Sequence, residues 1–288
     1  MPESLPPKYP SRLTVIIILF LITMPLYGLV GFFGKIATRK WPVLIGELML
    51  LVPAYLYLRF YRYNIRQVFR LNLVNRRIML LSAGLAVALY LVIYEIDRVF
   101  HLMWTWLWRF LPPEFDILSP ERLQSQLEAL LIAQSWHDWI IIMLATVIIA
   151  GVFEEVLFRG FVQSAFEQHH KILTAILITA AIFAANHAVP WWFVQIFLLG
   201  AGLGWMAWRS NSIIPGAIVH GINNFLAVLF VNFKIEPQWL FWQSAKSWLG
   251  EGHIHPLFLL VAAGAIYFGF QWFNRFCEEE IEIPTFLR

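Results

Sequence analysis

Long apolar runs alternate with short polar stretches along the whole chain. A bilayer-spanning helix needs about 20 mostly apolar residues. Eight runs approach that length: Leu13–Phe33, Trp41–Phe60, Ile78–Tyr94, about Trp139 to Val162, Ile172–Ala188, Trp191–Trp208, Ile213–Val231 and Pro256–Phe273. They are continuous rather than alternating, which excludes a β-barrel. Only the turn around Pro190 separates the fifth run from the sixth, so these two are expected to form a tight antiparallel hairpin. No polar stretch between runs is long enough to build a core of its own. The pattern predicts an all-α polytopic membrane protein with eight transmembrane helices, a single integral membrane domain over residues 1–288. The first run is too long for a cleavable signal, and no small-residue cleavage site follows it.

The segment of about 101–136 reads as amphipathic and interfacial. Trp104, Trp106 and Trp108 are suited to the membrane–water boundary. Ser119-Pro120-Glu121 reads as an N-cap followed by proline at the first helical position. Leu123, Leu127, Leu130 and Leu131 then share one helical face. Such a helix either lies on the membrane surface or packs over the bundle. Trp239, Trp242 and Trp248 are expected to anchor the segment after the seventh run in the same way.

Composition agrees with this pattern. Sixty per cent of the residues are hydrophobic, only 14% are charged, and the mean hydropathy is +0.67. Ordinary soluble domains carry about 25% charged residues. A disordered chain is excluded, and a soluble enzyme of this length has no means of hiding so much apolar surface. The net charge of +3 is too small to indicate nucleic-acid binding. Cys277 is the single cysteine, which excludes an intrachain disulfide and any Cys-pair metal site.

Basic residues set the expected orientation. Arg62, Arg66, Arg70, Arg76 and Arg77, with Arg59 at the edge, cluster between the second and third runs, which places that loop in the cytoplasm. Glu95, Asp97, Glu114, Asp116, Glu121, Glu128 and Asp138 make the next connection acid-rich, and place it outside. An even number of spans then puts both termini in the cytoplasm, with the protein in the cell's inner membrane. Lys35, Arg39 and Lys40 run against this assignment but are outnumbered. The polar site described next is expected to open on the cytoplasmic side, with the basic loop.

The chemistry lies in the polar residues that interrupt the apolar runs. An ionisable group in hydrocarbon is costly and usually faces a cavity. The fourth run carries Glu154, Glu155 and Arg159; the fifth carries Asn186 and His187; the seventh carries His220, Asn223 and Asn224. Elsewhere the runs are nearly free of charge, apart from Glu47. Glu155 and Arg159 are i, i+4 and can pair. Glu154 lies about 100° around the helix from Glu155, so it can face a cavity while Glu155 holds Arg159. Phe183 with His187, and His220 with Asn224, repeat the i, i+4 spacing. One carboxylate, two imidazoles and one amide are enough for water activation and oxyanion stabilisation. Gly200 and Gly204 have GxxxG spacing, read chiefly as packing within the bundle. His169, His170, His253 and His255 read as solvated loop residues.

The ordered set Glu154-Glu155-Val156-Leu157-Phe158-Arg159, Phe183-Ala184-Ala185-Asn186-His187 and His220-Gly221-Ile222-Asn223-Asn224 resembles the EExxxR, FxxxH and HxxxN motifs of the CPBP family of intramembrane proteases. That family, also called the CAAX-protease and bacteriocin-processing or Abi group, includes the type II CAAX prenyl endopeptidases. The resemblance covers roughly residues 150–225, within a motif-bearing core of about 139–231. It implies an eight-helix fold with a conical cavity, and hydrolysis of a peptide bond in a membrane-associated protein or peptide. Carried over by motif, Glu154 and His187 activate the water, and His220 and Asn224 bind the oxyanion. Glu155, Arg159 and Phe183 support the site, with Asn186 and Asn223 as neighbours.

No His-Glu-x-x-His or His-x-x-Glu-His occurs. Glu154, His187 and His220 can still be grouped as a zinc-binding set of metalloprotease type. No cofactor is expected, because that use of the three would leave no free base beyond Glu155. Two other readings compete with the protease: a non-proteolytic scaffold or immunity protein of the same family, and a proton-coupled transporter. Decay of a motif residue would favour the scaffold, and an inverted repeat would favour the transporter; the sequence has neither.

Overall fold

In hydrocarbon, backbone groups have no water to bond, so each apolar run closes its own hydrogen bonds as a helix. A computed structural model describes residues 9–34, 40–233, 240–242 and 253–282. Its helices are α1 (Arg12–Leu29), α2 (Trp41–Phe60), α3 (Arg76–Trp108), α4 (Pro120–Leu131), α5 (Trp136–Glu167), α6 (Ile172–Asn186), α7 (Phe193–Ser210), α8 (Ile214–Phe233) and α9 (Pro256–Glu282). Among the described residues, seven of these are long and apolar enough to cross a membrane. The protein is an all-α polytopic membrane protein.

The fifth expected span, Ile172–Ala188, is shorter than the sequence suggested. α6 has 15 residues and stops at Asn186 rather than Ala188, a rise of only about 22 Å. Ala188 reverses the chain at φ 55°, and Val189 is extended before Pro190, as a residue preceding proline prefers. The 3₁₀ turn Pro190–Trp192 then leads into α7, so the hairpin expected around Pro190 is present. Gly200 and Gly204 sit inside it. A Cβ at Gly200 would lie 3.2 Å from the Phe183 ring, and one at Gly204 would lie 2.7 Å from Gln163 Oε1. The GxxxG spacing therefore serves packing within the chain.

Two helices run past their apolar runs. α3 has 33 residues and carries on through the tryptophan cluster to Trp108, while α5 has 32 and continues to Glu167. At about 1.5 Å per residue each exceeds the ~30 Å hydrocarbon core. α5 is the central helix. Its side chains from Val156 to Val162 are all buried. Gly160 lets the connection after α2 come close, since a Cβ there would lie 2.8 Å from Phe69 Cα. Arg70 from that connection pairs with Glu167, both nearly buried.

α4 begins at the expected cap, with Ser119 Oγ accepting from the Arg122 N–H. It packs over the bundle. Asn232 on α8 donates to the Leu131 carbonyl and accepts from the Ala133 N–H, each at 2.8 Å. Lys40 donates to the Ala129 carbonyl.

After α8, Phe241–Trp242 and His253–Ile254 form a two-residue antiparallel bridge. Glu95 clamps it, with Oε1 2.6 Å from His253 Nδ1 and Oε2 accepting from the Ile254 N–H at 2.9 Å. His253 is thus buried on a carboxylate, against the expectation of a solvated histidine. His170 is also engaged, its Nε2 2.9 Å from an Arg12 guanidinium nitrogen. Trp239 and Trp248, together with Lys35 and Arg39, lie outside the described residues.

Candidate active site

Read as full spans, the runs place Glu154 and His187 at different depths. The helix lengths remove this conflict. Glu154 is thirteen residues above the α5 end at Glu167, and His187 is fifteen above the α6 start at Ile172. Both rises are about 20 Å, because α5 runs deep and α6 stops short. The stretch of α5 that carries both glutamates, Ala150–Glu155, lies between two π-helical stretches, Met143–Ile149 and Val156–Val162. Such windings are frequent at functional sites.

α8 lies against this stretch through glycine. A Cβ at Gly151 would sit 3.1 Å from Gly221 Cα, and one at Gly216 only 2.6 Å from Glu155 Oε2. The close approach brings His220 between the two glutamates. Its Nδ1 is 3.2 Å from Glu155 Oε1, and its Nε2 is 3.9 Å from Glu154 Oε2. Glu155 Oε2 in turn lies 3.2 Å from Arg159 Nε, and neither side chain has any exposure. The division expected from the 100° offset is therefore present: Glu155 holds Arg159, and Glu154 faces the cavity.

Phe183 joins the two imidazoles. Its ring meets His187 edge-on at 4.9 Å and His220 at 5.8 Å between centroids. The Arg159 guanidinium carbon lies 4.3 Å from the centre of the same ring, within cation–π range. His187 Nδ1 is 2.9 Å from the Phe183 carbonyl oxygen. A carbonyl only accepts, so Nδ1 carries the proton and Nε2 is left for the cavity. Asn224 Nδ2 donates to the Thr146 carbonyl at 2.8 Å, which fixes the amide and leaves its second N–H.

Glu154, His187, His220 and Asn224 all line one cavity of about 390 Å³, together with Phe183. Asn223 also lines it, and its buried Oδ1 has no hydrogen-bond partner among the described residues. Asn186 is not part of the lining. Among the described residues, no three His, Cys, Asp or Glu side chains gather closely enough to hold a metal ion. The grouping Glu154–His187–His220 does not fit one in this arrangement.

The sequence reading missed part of the wall. Tyr27, Glu47, Asp97 and Gln195 also face the cavity. Glu47 was visible as the one acidic residue in its apolar run. Asp97 carried a fainter signal, because Tyr90, Ile93, Tyr94 and Asp97 recur at i, i+3, i+4 and i+7 and all line the cavity. Leu127, Leu130 and Leu131 of α4 belong to the wall too, so the amphipathic helix covers the cavity rather than lying on lipid.

The direction of opening differs from expectation. The cavity is lined by the beginnings of α2 and α7, the middle of α3, α5 and α8, and the end of α6. α4 contributes Leu127, Leu130 and Leu131 to this lining, and the Arg59–Arg77 loop contributes nothing to it. A cytoplasmic basic loop and a cavity opening beside it are therefore incompatible. Apolar spans alone carry no information about which half of each helix holds the cavity.

Residues 136–226 match the family model described as Rce1-like, type II CAAX prenyl endopeptidase Rce1-like. The matched stretch runs from the start of α5 through the HxxxN motif on α8. It supports the kinship with CPBP/CAAX proteases carried by the three motifs. No curated protein and no solved structure matches the chain.

Proposed function

We propose, with the CPBP/CAAX protease family as premise, that this chain is an intramembrane endopeptidase that hydrolyses a peptide bond of a membrane-associated protein or peptide without a bound metal. The observation that carries this reading is the relay Arg159–Glu155–His220–Glu154, with contacts of 3.2, 3.2 and 3.9 Å, on a cavity shared with His187 and Asn224.

Each group then has one task. Glu154 takes a proton from water, and the unprotonated Nε2 of His187 orients that water. The oxygen attacks the peptide carbonyl, and the carbonyl electron pair moves onto its oxygen. His220 and Asn224 stabilise that oxyanion. With Nδ1–H engaged by Glu155, His220 donates from Nε2 as an imidazolium, a charge offset by two carboxylates against one guanidinium. Glu154 then returns its proton to the leaving amine as the carbon–nitrogen bond breaks. Arg159 and Phe183 keep Glu155 and both imidazoles in place.

The scaffold reading requires a chain without turnover, and the transporter reading requires flux without cleavage. The test reconstitutes purified protein in vesicles with membrane-inserted peptides and follows cleavage by mass spectrometry. Cleavage by wild type and its loss in Glu154→Gln and His187→Ala are expected. Wild-type vesicles that cleave no member of a broad peptide set, or full cleavage by Glu154→Gln, would overturn the reading.

A further inference from the structure

The cavity wall also carries a carboxylate that the reaction does not use. Glu47 on α2 is only 6% exposed and faces the cavity. Tyr27 donates to its Oε1 at 3.0 Å. Oε2 is buried and has no hydrogen-bond partner among the described residues. Asp97, on α3, also lines the cavity and accepts from the amide of Gln195 at 3.0 Å. The wall thus holds three carboxylates, Glu47, Asp97 and Glu154, and no lysine or arginine among the described residues. Arg159 does not reach it: that side chain is fully buried against Glu155 and Phe183.

A buried carboxylate oxygen without a partner is costly. It is kept where a ligand completes it. An acidic ligand group at Glu47 would meet a carboxylate with no lysine or arginine in the surrounding wall. A neutral donor would satisfy Oε2 but leave the repulsion among the carboxylates in place. A cationic group both pairs with Oε2 and relieves the repulsion across the cavity.

We propose that Glu47, positioned by Tyr27, is a specificity residue that accepts a cationic group of the substrate, a lysine or arginine side chain on the segment that occupies the cavity. The inference rests on the reading of the chain as a peptidase, and names the class of peptide that it takes. The surrounding wall fits such a side chain: Val43, Tyr90 and Leu131 offer apolar surface to its methylene stem while Glu47 takes the head. Glu47 touches substrate in this scheme but not the scissile bond.

The test uses full-length protein in vesicles and leucine/alanine-rich peptides of transmembrane length, each with one lysine, arginine, norleucine or glutamate scanned through its central positions. Affinity is measured on Glu154→Gln and cleavage on wild type. Lysine or arginine at one position is expected to raise both affinity and kcat/KM by about tenfold over norleucine, the usual scale of one charged hydrogen bond. Adding Glu47→Gln should bring that ratio close to one. Tyr27→Phe, which removes the hydrogen bond that positions Glu47, should reduce the preference without abolishing it.

No preference in wild type at any position overturns the proposal, and that result does not depend on any variant folding. A preference that survives Glu47→Gln overturns the assignment to this residue. A lysine preference in binding without any cleavage upholds the cationic site and sinks the peptidase reading instead. Cleavage without the preference does the reverse.

Discussion

The two adjacent glutamates should fail in different ways. Glu154→Gln removes the base and keeps the shape. Its partner His220 Nε2 is 3.9 Å away, beyond hydrogen-bond reach, so little folding energy rides on it. Loss of a general base costs about 10²–10⁴ in rate. Glu155→Gln leaves Arg159 buried without a countercharge. Glu155 Oε2 is 3.2 Å away with both side chains at zero exposure, and the guanidinium has no hydrogen bond among the described residues to fall back on. Breaking a buried pair from one side costs about 3–5 kcal/mol. At about 2–4 °C per kcal/mol for a chain of this size, the midpoint should fall by roughly 6–20 °C. The fall for Glu154→Gln should be at most a few degrees. Cys277 is the single cysteine and is only 2% exposed, so a thiol-reactive fluorophore reports unfolding without an added label. Equal midpoints for the two variants would refute the division of roles, whatever their activities.

Four further outcomes are expected. Gly160→Ala forces a Cβ to 2.8 Å from Phe69 Cα and should lower the same midpoint by several degrees, whereas Gly84→Ala, with nothing within 4 Å of its Cβ, should change it little; equal shifts would refute the packing argument. Asn224→Asp replaces the N–H that meets the Thr146 carbonyl with an acceptor, so cleavage should drop by at least about tenfold, and retained kcat would remove Asn224 from the oxyanion site. Cysteines at the exposed positions Arg66 and Gln126 should label from opposite sides of the membrane, with Gln126→Cys, on the cavity side, reactive from outside; labelling of Arg66→Cys from outside would reverse the orientation. Cleavage should survive exhaustive chelation; loss on chelation with recovery on added zinc, and stoichiometric zinc in active protein, would make Glu154 a ligand.

The class of the protein and its chemistry were written locally. Length and continuity of the apolar runs decide between lipid and water, because a backbone in hydrocarbon has only the helix available. Glu155 with Arg159 and Phe183 with His187 are pairs within single helices, and i, i+4 geometry fixes them before any packing. The motif residues of three different helices could be collected as one set because ionisable groups in lipid are costly enough to need a shared refuge.

Depth and facing were not local. The distance from Glu154 to the end of α5 and from His187 to the start of α6 matter only once those helices stand side by side, and the early reversal at Ala188 depends on the turn that joins α6 to α7. Glu47 and Tyr27 reach the site from α1 and α2, far from the motifs, through packing that no spacing encodes. The leucine face of α4 was plain in the sequence, but an apolar stripe is equally content against lipid or against a cavity. The sequence alone determined that this is a membrane protein with carboxylates, imidazoles and amides set in its helices. Only the tertiary structure decided which of them share a wall, how deep they sit and on which side the cavity lies, because those depend on how helices pack against one another rather than on the spacing along any one of them.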